Sequence, residues 1–126
     1  MARILVVEDD HPLADLIKQI LGIRRYDVLS VFDGFAAVDV AQREMPDLIL
    51  MDIMLPGQTG IEATRAIRSS ADPKLASTPI IAMSAGTTLG SISDDDIFSA
   101  ILSKPFDVDA LLDSVSRNMR SAGSEL

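Results

Sequence analysis

The chain is 126 residues long, 48% hydrophobic and 24% charged, which fits one folded domain and excludes a disordered segment or a coiled coil. Its 11 Lys and Arg stand against 19 Asp and Glu, a formal net charge of −8, which argues against nucleic acid or an anionic membrane as the main partner. There is no Cys and a single His, His11, so disulfides, thiolate metal sites and cysteine nucleophiles are excluded. No apolar run approaches the roughly 20 residues of a membrane helix. Too few apolar residues precede the first acids for a signal peptide, and the expected location is cytoplasmic.

In chain order, Ile4-Leu5-Val6-Val7 is a continuous apolar run that stops at Glu8-Asp9-Asp10, the first predicted strand. Leu13, Leu16, Ile17, Ile20 and Leu21 recur at i, i+3, i+4, i+7 and i+8, one face of a helix that Gly22 is expected to stop. Val28-Leu29-Ser30-Val31 is more mixed, as an edge strand would be. Asp33-Gly34 opens a second helix with Ala37, Val38 and Ala41 inward. Leu48-Ile49-Leu50-Met51 is a strand that stops at Asp52. Thr59 can cap a third helix with Ile61, Thr64 and Ile67 inward. Residues 69–77 read as a polar loop. Pro79 to Met83 is a strand that stops at Ser84, and Ala100-Ile101-Leu102 one that stops at Ser103-Lys104-Pro105. Asp107 can cap a last helix with Leu111, Val115 and Met119 on one face. Residues 1–122 then form the domain and 123–126 a frayed tail. Strands buried on both faces, alternating with helices, predict an α/β fold with a five-stranded parallel sheet.

The polar residues gather where the strands end. In open parallel sheets, ligands bind beyond the carboxyl ends of the strands, where the winding direction reverses. For strand order 2-1-3-4-5 that point lies between the first and third strands, the two that end in Glu8-Asp9-Asp10 and Asp52. The fourth adds Ser84 and the fifth Lys104 to the same edge. Each residue alone has an ordinary reading: Asp9 or Asp10 as a helix cap, Asp52 as a loop acid, Ser84 and Lys104 as turn residues, the methionines as packing. Together they describe a phosphate chemistry. Crowded carboxylates raise one another's pKa, and a hard divalent cation such as Mg²⁺ relieves that while keeping waters and a phosphate oxygen. A carboxylate is also a competent nucleophile toward phosphorus, and a lysine neutralises the transferring group.

These stretches carry a resemblance. Val6-Val7-Glu8-Asp9-Asp10, Pro46 through Gly57, Ile80 through Ala85 and Ser103-Lys104-Pro105-Phe106 resemble a response-regulator receiver domain of two-component signalling, the CheY-like phosphoacceptor module. The resemblance spans nearly the whole chain. It implies a flavodoxin-like (βα)5 three-layer sandwich with strand order 2-1-3-4-5. It implies Asp52 as the phosphorylated residue, and Mg²⁺ (or Mn²⁺) ligated by Asp9, Asp52 and the backbone carbonyl of Met54, with Glu8 acting through water. Asp10 is only the neighbour of the acidic pair. Ser84 matches the family's Ser/Thr and Lys104 its phosphate-binding lysine, followed by a cis bond to Pro105. The implied partner is a histidine kinase or histidine phosphotransfer protein. The implied role is a signalling phosphoacceptor rather than an enzyme, with phosphotransfer and autodephosphorylation as its own chemistry. A stand-alone receiver is expected, with a fragment of a longer regulator as one alternative.

Two departures stand out. Ile101 holds the place where the family usually has Tyr or Phe, and the span from Ser84 to Lys104 is about two residues short. Ten of the fourteen residues from 86 to 99 are Gly, Thr, Ser or Asp, poor interior helix formers. The fourth helix is therefore expected to be absent, short or mobile, with any regular part starting near Ser93. An aspartate-nucleophile phosphohydrolase would need a second Asp two residues beyond the nucleophile, where Met54 stands. A flavin-binding domain would need a phosphate loop where Glu8-Asp9-Asp10 stands.

Overall fold

The computed structural model describes residues 2–55, 58–85 and 97–119. Within them run β1 (Arg3–Val7), α1 (His11–Ile23), β2 (Asp27–Val31), α2 (Gly34–Glu44), β3 (Leu48–Asp52), α3 (Gly60–Arg68), α4 (Pro73–Ala76), β4 (Ile80–Ala85), β5 (Ala100–Lys104) and α5 (Val108–Asn118). The strands form one parallel sheet in the expected order β2-β1-β3-β4-β5. Successive strand residues point to opposite faces, and here both faces are covered. Ile4 and Val6 of β1 pack with Ile17 and Leu21 of α1 and with Leu111 and Val115 of α5. Leu5 and Val7 pack with Ala37 and Ala41 of α2, Ala63 and Ile67 of α3 and Leu75 of α4. β3, at the centre, is buried at every position, which is why its sequence is unbroken apolar until Asp52.

Each of these helices starts on a side chain that accepts a first-turn N–H group and so satisfies a donor left over by the helix. Asp10 accepts from Leu13, Asp33 from Ala36, Asp72 from Lys74 and Asp107 from Ala110. Thr59 and Glu62 exchange bonds of 3.2 and 2.9 Å in a capping box that fixes where α3 begins.

Three expectations need correction. Leu16 is 51% exposed and Ala14 is buried, because the inward face centres on Ile17 and Leu21, and at 3.6 residues per turn Ala14 lies nearer that line than Leu16. Gly22 does not stop α1; the helix runs to Ile23, and the chain turns at Arg25 with φ 66°. The loop at 69–77 contains α4, where Asp72 caps, Pro73 occupies the first turn and Leu75 is buried. The atypical fourth helix expected in 86–99, with its start near Ser93, falls outside the described residues apart from Ile97, Phe98 and Ser99, and so does the tail at 123–126.

Two arginines tie the amino-terminal side of the sheet. Arg3 bridges Asp27 at 3.2 Å and Glu44 at 2.9 Å, and its backbone N–H donates to Asp47 at 2.8 Å. Arg68 donates to the carbonyls of Thr78, Ile97 and Ala76 at 2.6, 2.8 and 3.0 Å, joining the end of α3 to the chain entering β4 and β5.

Candidate functional site

The register sets the carboxyl ends of the strands level with one another. Val7 pairs with Met51, Asp52 with Met83, and Lys104 with Ala85. One residue past β1, the Glu8 N–H still donates to Val31 of β2 at 3.1 Å, so the β1–β2 ladder carries Glu8 inward. Its side chain is 1% exposed and Asp52 is 4% exposed. Asp9 and Asp10 face solvent.

Lys104 reaches across from β5. Its Nζ lies 2.6 Å from Glu8 Oε1 and 3.3 Å from Asp52 Oδ2. The remaining oxygens are also held: Glu8 Oε2 accepts from the Asp10 N–H at 3.1 Å, and Asp52 Oδ1 from the Met54 N–H at 3.0 Å. Burial pushes the Glu8 carboxyl up from 4.5 to about 7, against the pull of its hydrogen bonds from Lys104 and Asp10. Burial would depress the Lys104 ammonium, but the hydrogen bond to Glu8 and the charges of Asp52 and Glu8 outweigh it and leave its pKa raised. The 2.6 Å contact from the Lys104 ammonium is charge-assisted whenever Glu8 is ionised, and it opposes the cost of burying that charge.

Glu8, Asp9 and Asp52 each offer one carboxylate oxygen, and these atoms lie within 4.8 Å of one another. All three donors are hard oxygens. Asp9, the exposed member, faces solvent, so the cluster is reached from outside. This donor set fits a divalent cation of the magnesium kind, which takes one or two carboxylates and keeps several waters.

The other residues picked out from the sequence divide. Ser84 sits at the end of β4, 1% exposed, one residue past the Met83–Asp52 pair, and its hydroxyl donates to the Ala85 carbonyl at 2.9 Å. Met54 turns its side chain outward, 65% exposed, and contributes its backbone N–H to Asp52. Asp10 caps α1 and is not part of the acidic cluster. The Lys104–Pro105 peptide bond is cis, as the resemblance implies. His11, which the sequence left without a role beyond opening α1, stacks on Phe32 with ring centroids 3.9 Å apart and planes 9° apart. Nothing in the local sequence signals that contact, because the two residues come from different βα units. Beside Lys104, a cavity of about 300 Å³ is lined by Leu13, Lys104, Pro105 and Phe106.

The comparisons place the fold. The model of the response regulator receiver domain matches residues 4–116. The fold is similar to the chemotaxis response regulator CheY4 of Vibrio cholerae, with a TM-score of 0.86 and 27% identity over 94% of this chain and 99% of that one. It is similar to the receiver domain of a sensor histidine kinase from Pseudomonas aeruginosa, with a TM-score of 0.82 and 35% identity over 93% of this chain and 96% of that one. That domain has a magnesium ion coordinated in its active-site cleft. A receiver domain of a Francisella response regulator aligns with a TM-score of 0.81 and 28% identity, over 93% of this chain and 95% of that one.

Proposed function

The chain belongs to the response regulator receiver domain family, and on that premise we propose that it accepts a phosphoryl group on Asp52 from a histidine kinase or histidine phosphotransfer protein and signals through an altered protein–protein surface. The observation that carries this is the setting of Asp52. It is a 4% exposed carboxylate at the end of the central strand, facing a lysine ammonium at 3.3 Å and sharing a cluster with two further carboxylates.

In this reading Asp52 is the nucleophile. Its carboxylate oxygen forms the bond to phosphorus as the P–N bond to the donor imidazole breaks, and the leaving nitrogen takes up a proton. Asp9 and Asp52 would hold Mg²⁺ (or Mn²⁺) directly with the Met54 carbonyl, and Glu8 through water. When bound, the ion supplies positive charge against the phosphoryl oxygens. The Met54 N–H orients Asp52 by holding one of its oxygens. Lys104, which bridges Asp52 and Glu8, turns from them to the incoming phosphoryl oxygens. Ser84, at the end of the neighbouring strand, donates its hydroxyl to the phosphoryl group. Residues 1–122 act as the receiver unit, with 123–126 as a tail. No helix among the described residues is long and apolar enough to cross a membrane, and the proposed location is cytoplasmic.

Incubation with acetyl phosphate and Mg²⁺ followed by intact mass tests the reading. Wild type gains one phosphoryl group only with the divalent cation, and Asp52→Asn gains none. Acid-labile phosphate on Asp52→Asn, or equal labelling of wild type in chelator, overturns it.

A further inference from the structure

The proposed phosphoacceptor has a backbone neighbour that tolerates no side chain. A methyl group on Gly60 would fall on the Asp52 carbonyl oxygen, 2.6 Å from the Ile53 Cα and 2.9 Å from the Asp52 carbonyl carbon. These are backbone atoms, which cannot rotate away as the end of a side chain could. The Gly60 N–H also donates to the Ile53 carbonyl at 3.2 Å. The first residue of α3 therefore rests directly on the strand end that carries Asp52. The start of α3 is fixed in turn by the Thr59–Glu62 capping box, so the helix does not yield by fraying.

A second contact of the same kind holds the other side of the loop. A methyl group on Gly34, the first residue of α2, would fall on the Gln58 carbonyl oxygen, with the carbonyl carbon at 2.8 Å and Cβ at 2.9 Å. The connection from Asp52 to α3 is thus seated against two helix starts, one at each end. Met54, whose N–H orients the Asp52 carboxylate, lies between them.

We propose that Gly60, supported by Gly34, is a positioning residue for Asp52: it lets α3 abut the phosphoacceptor backbone and so fixes the carboxylate against Lys104 and the metal-binding acids. This inference rests on Asp52 as the phosphoacceptor. A side chain at position 60 must push apart α3 and the end of β3, and a displacement of about 1 Å at a reacting group costs on the order of 100-fold in rate. Gly22 provides an internal control, since a methyl group there meets nothing within 4 Å.

The test compares Gly60→Ala, Gly34→Ala, Gly22→Ala and Leu75→Ala. Leu75 is buried in α4, which leads into the start of β4 at the edge of the sheet opposite the site, so its truncation lowers the melting temperature from a contact remote from Gly60. For each, the rate of acetyl phosphate labelling at saturating Mg²⁺ is measured with the Mg²⁺ dissociation constant by calorimetry. Gly60→Ala is expected to label at least about tenfold more slowly and to bind Mg²⁺ more weakly. Gly34→Ala should move both in the same direction by less. Gly22→Ala and Leu75→Ala should label at the wild-type rate at temperatures where they are folded. Amide exchange on wild type covers the case in which Gly60→Ala does not fold. The Gly60 N–H, although in a first helical turn, should be protected like the Ile53 N–H, and both should gain protection together on Mg²⁺ addition. Wild-type labelling and Mg²⁺ affinity in Gly60→Ala, or Gly60 exchanging as an unprotected amide, overturns the inference. Labelling of Asp52→Asn would instead overturn the phosphoacceptor reading itself.

Discussion

The two edges of the sheet carry similar charges in opposite settings. At the amino-terminal edge Arg3 meets Asp27 and Glu44 through its side chain and Asp47 through its backbone. At the carboxyl edge Lys104 meets Glu8 and Asp52, with Asp9 alongside. Around Arg3 the carboxylates are half in water, with the Asp27 side chain 50% exposed. Solvent screens them, and such pairs are worth about 0–1 kcal/mol. Around Lys104 they have left water, so one ammonium offsets the desolvation of two buried anions and must do so at close range. The exposed cluster is a fastening. The buried one is held in balance, and a cation or a phosphoryl group can shift it.

Removing each cation tests the contrast most strongly. Lys104→Met keeps much of the stem but leaves Glu8 and Asp52 without the ammonium, and should lose about 3 kcal/mol in metal-free urea unfolding. Arg3→Met should lose under about 1 kcal/mol. Saturating Mg²⁺ should restore part of the first loss and none of the second. Equal losses, or no recovery with Mg²⁺, would remove the distinction between the edges. Lys104→Met should also fail to show the phosphorylation-dependent chemical-shift changes of wild type.

Within the carboxyl edge, neighbouring acids separate by role. Asp9→Ala should weaken Mg²⁺ binding at least about tenfold, a loss of about 1.4 kcal/mol, by removing a charge from the cluster. Asp10→Ala should leave Mg²⁺ binding nearly unchanged and cost about 1 kcal/mol of stability as a lost helix cap. Calorimetry and urea unfolding on the same two variants separate the roles, and matched Mg²⁺ losses would merge them.

The smallest effect is one of pH. Hydrogen bonds from the Thr59 backbone and hydroxyl hold the exposed Glu62 carboxyl below its ordinary 4.5. A depressed folded-state pKa means that Glu62 adds stability above about pH 4.5 and that this contribution disappears as the pH falls through the folded value. The urea midpoint of Glu62→Gln should therefore converge on that of wild type under acid and fall below it at neutral pH. A constant gap across the range would show that the capping box does not depend on the charge.

Much of this was legible in the chain. Ile4 to Val7 and Leu48 to Met51 are apolar without alternation because the sheet is covered on both sides, and each stops at acid because the strand ends there. Since parallel strands all end on one edge, those stops also located Glu8, Asp9, Asp52, Ser84 and Lys104 together. What escaped depends on neighbours distant in sequence. The apolar pattern of α1 counted Leu16 and passed over Ala14, because a small alanine weighs little in such a pattern while burial follows position around the helix. The α4 turn had its signal in Asp72-Pro73, outweighed by the polar residues around it. The approach of Gly60 to Asp52 has no local signature, since the obstructing atoms belong to the end of β3.

The interior place of β1 also has a consequence for biogenesis. Its neighbours are β2, beginning at Asp27, and β3, beginning at Leu48. During synthesis Ile4 to Val7 can pair on one side early, but the other side waits for the roughly forty further residues that lead to β3. Over that interval a short β-prone, uncharged segment presents an open edge, the pattern that favours association between chains. Parallel pairing of this kind is non-local and slow to form. Chaperones that attend synthesis therefore meet β1 with one edge still unpaired.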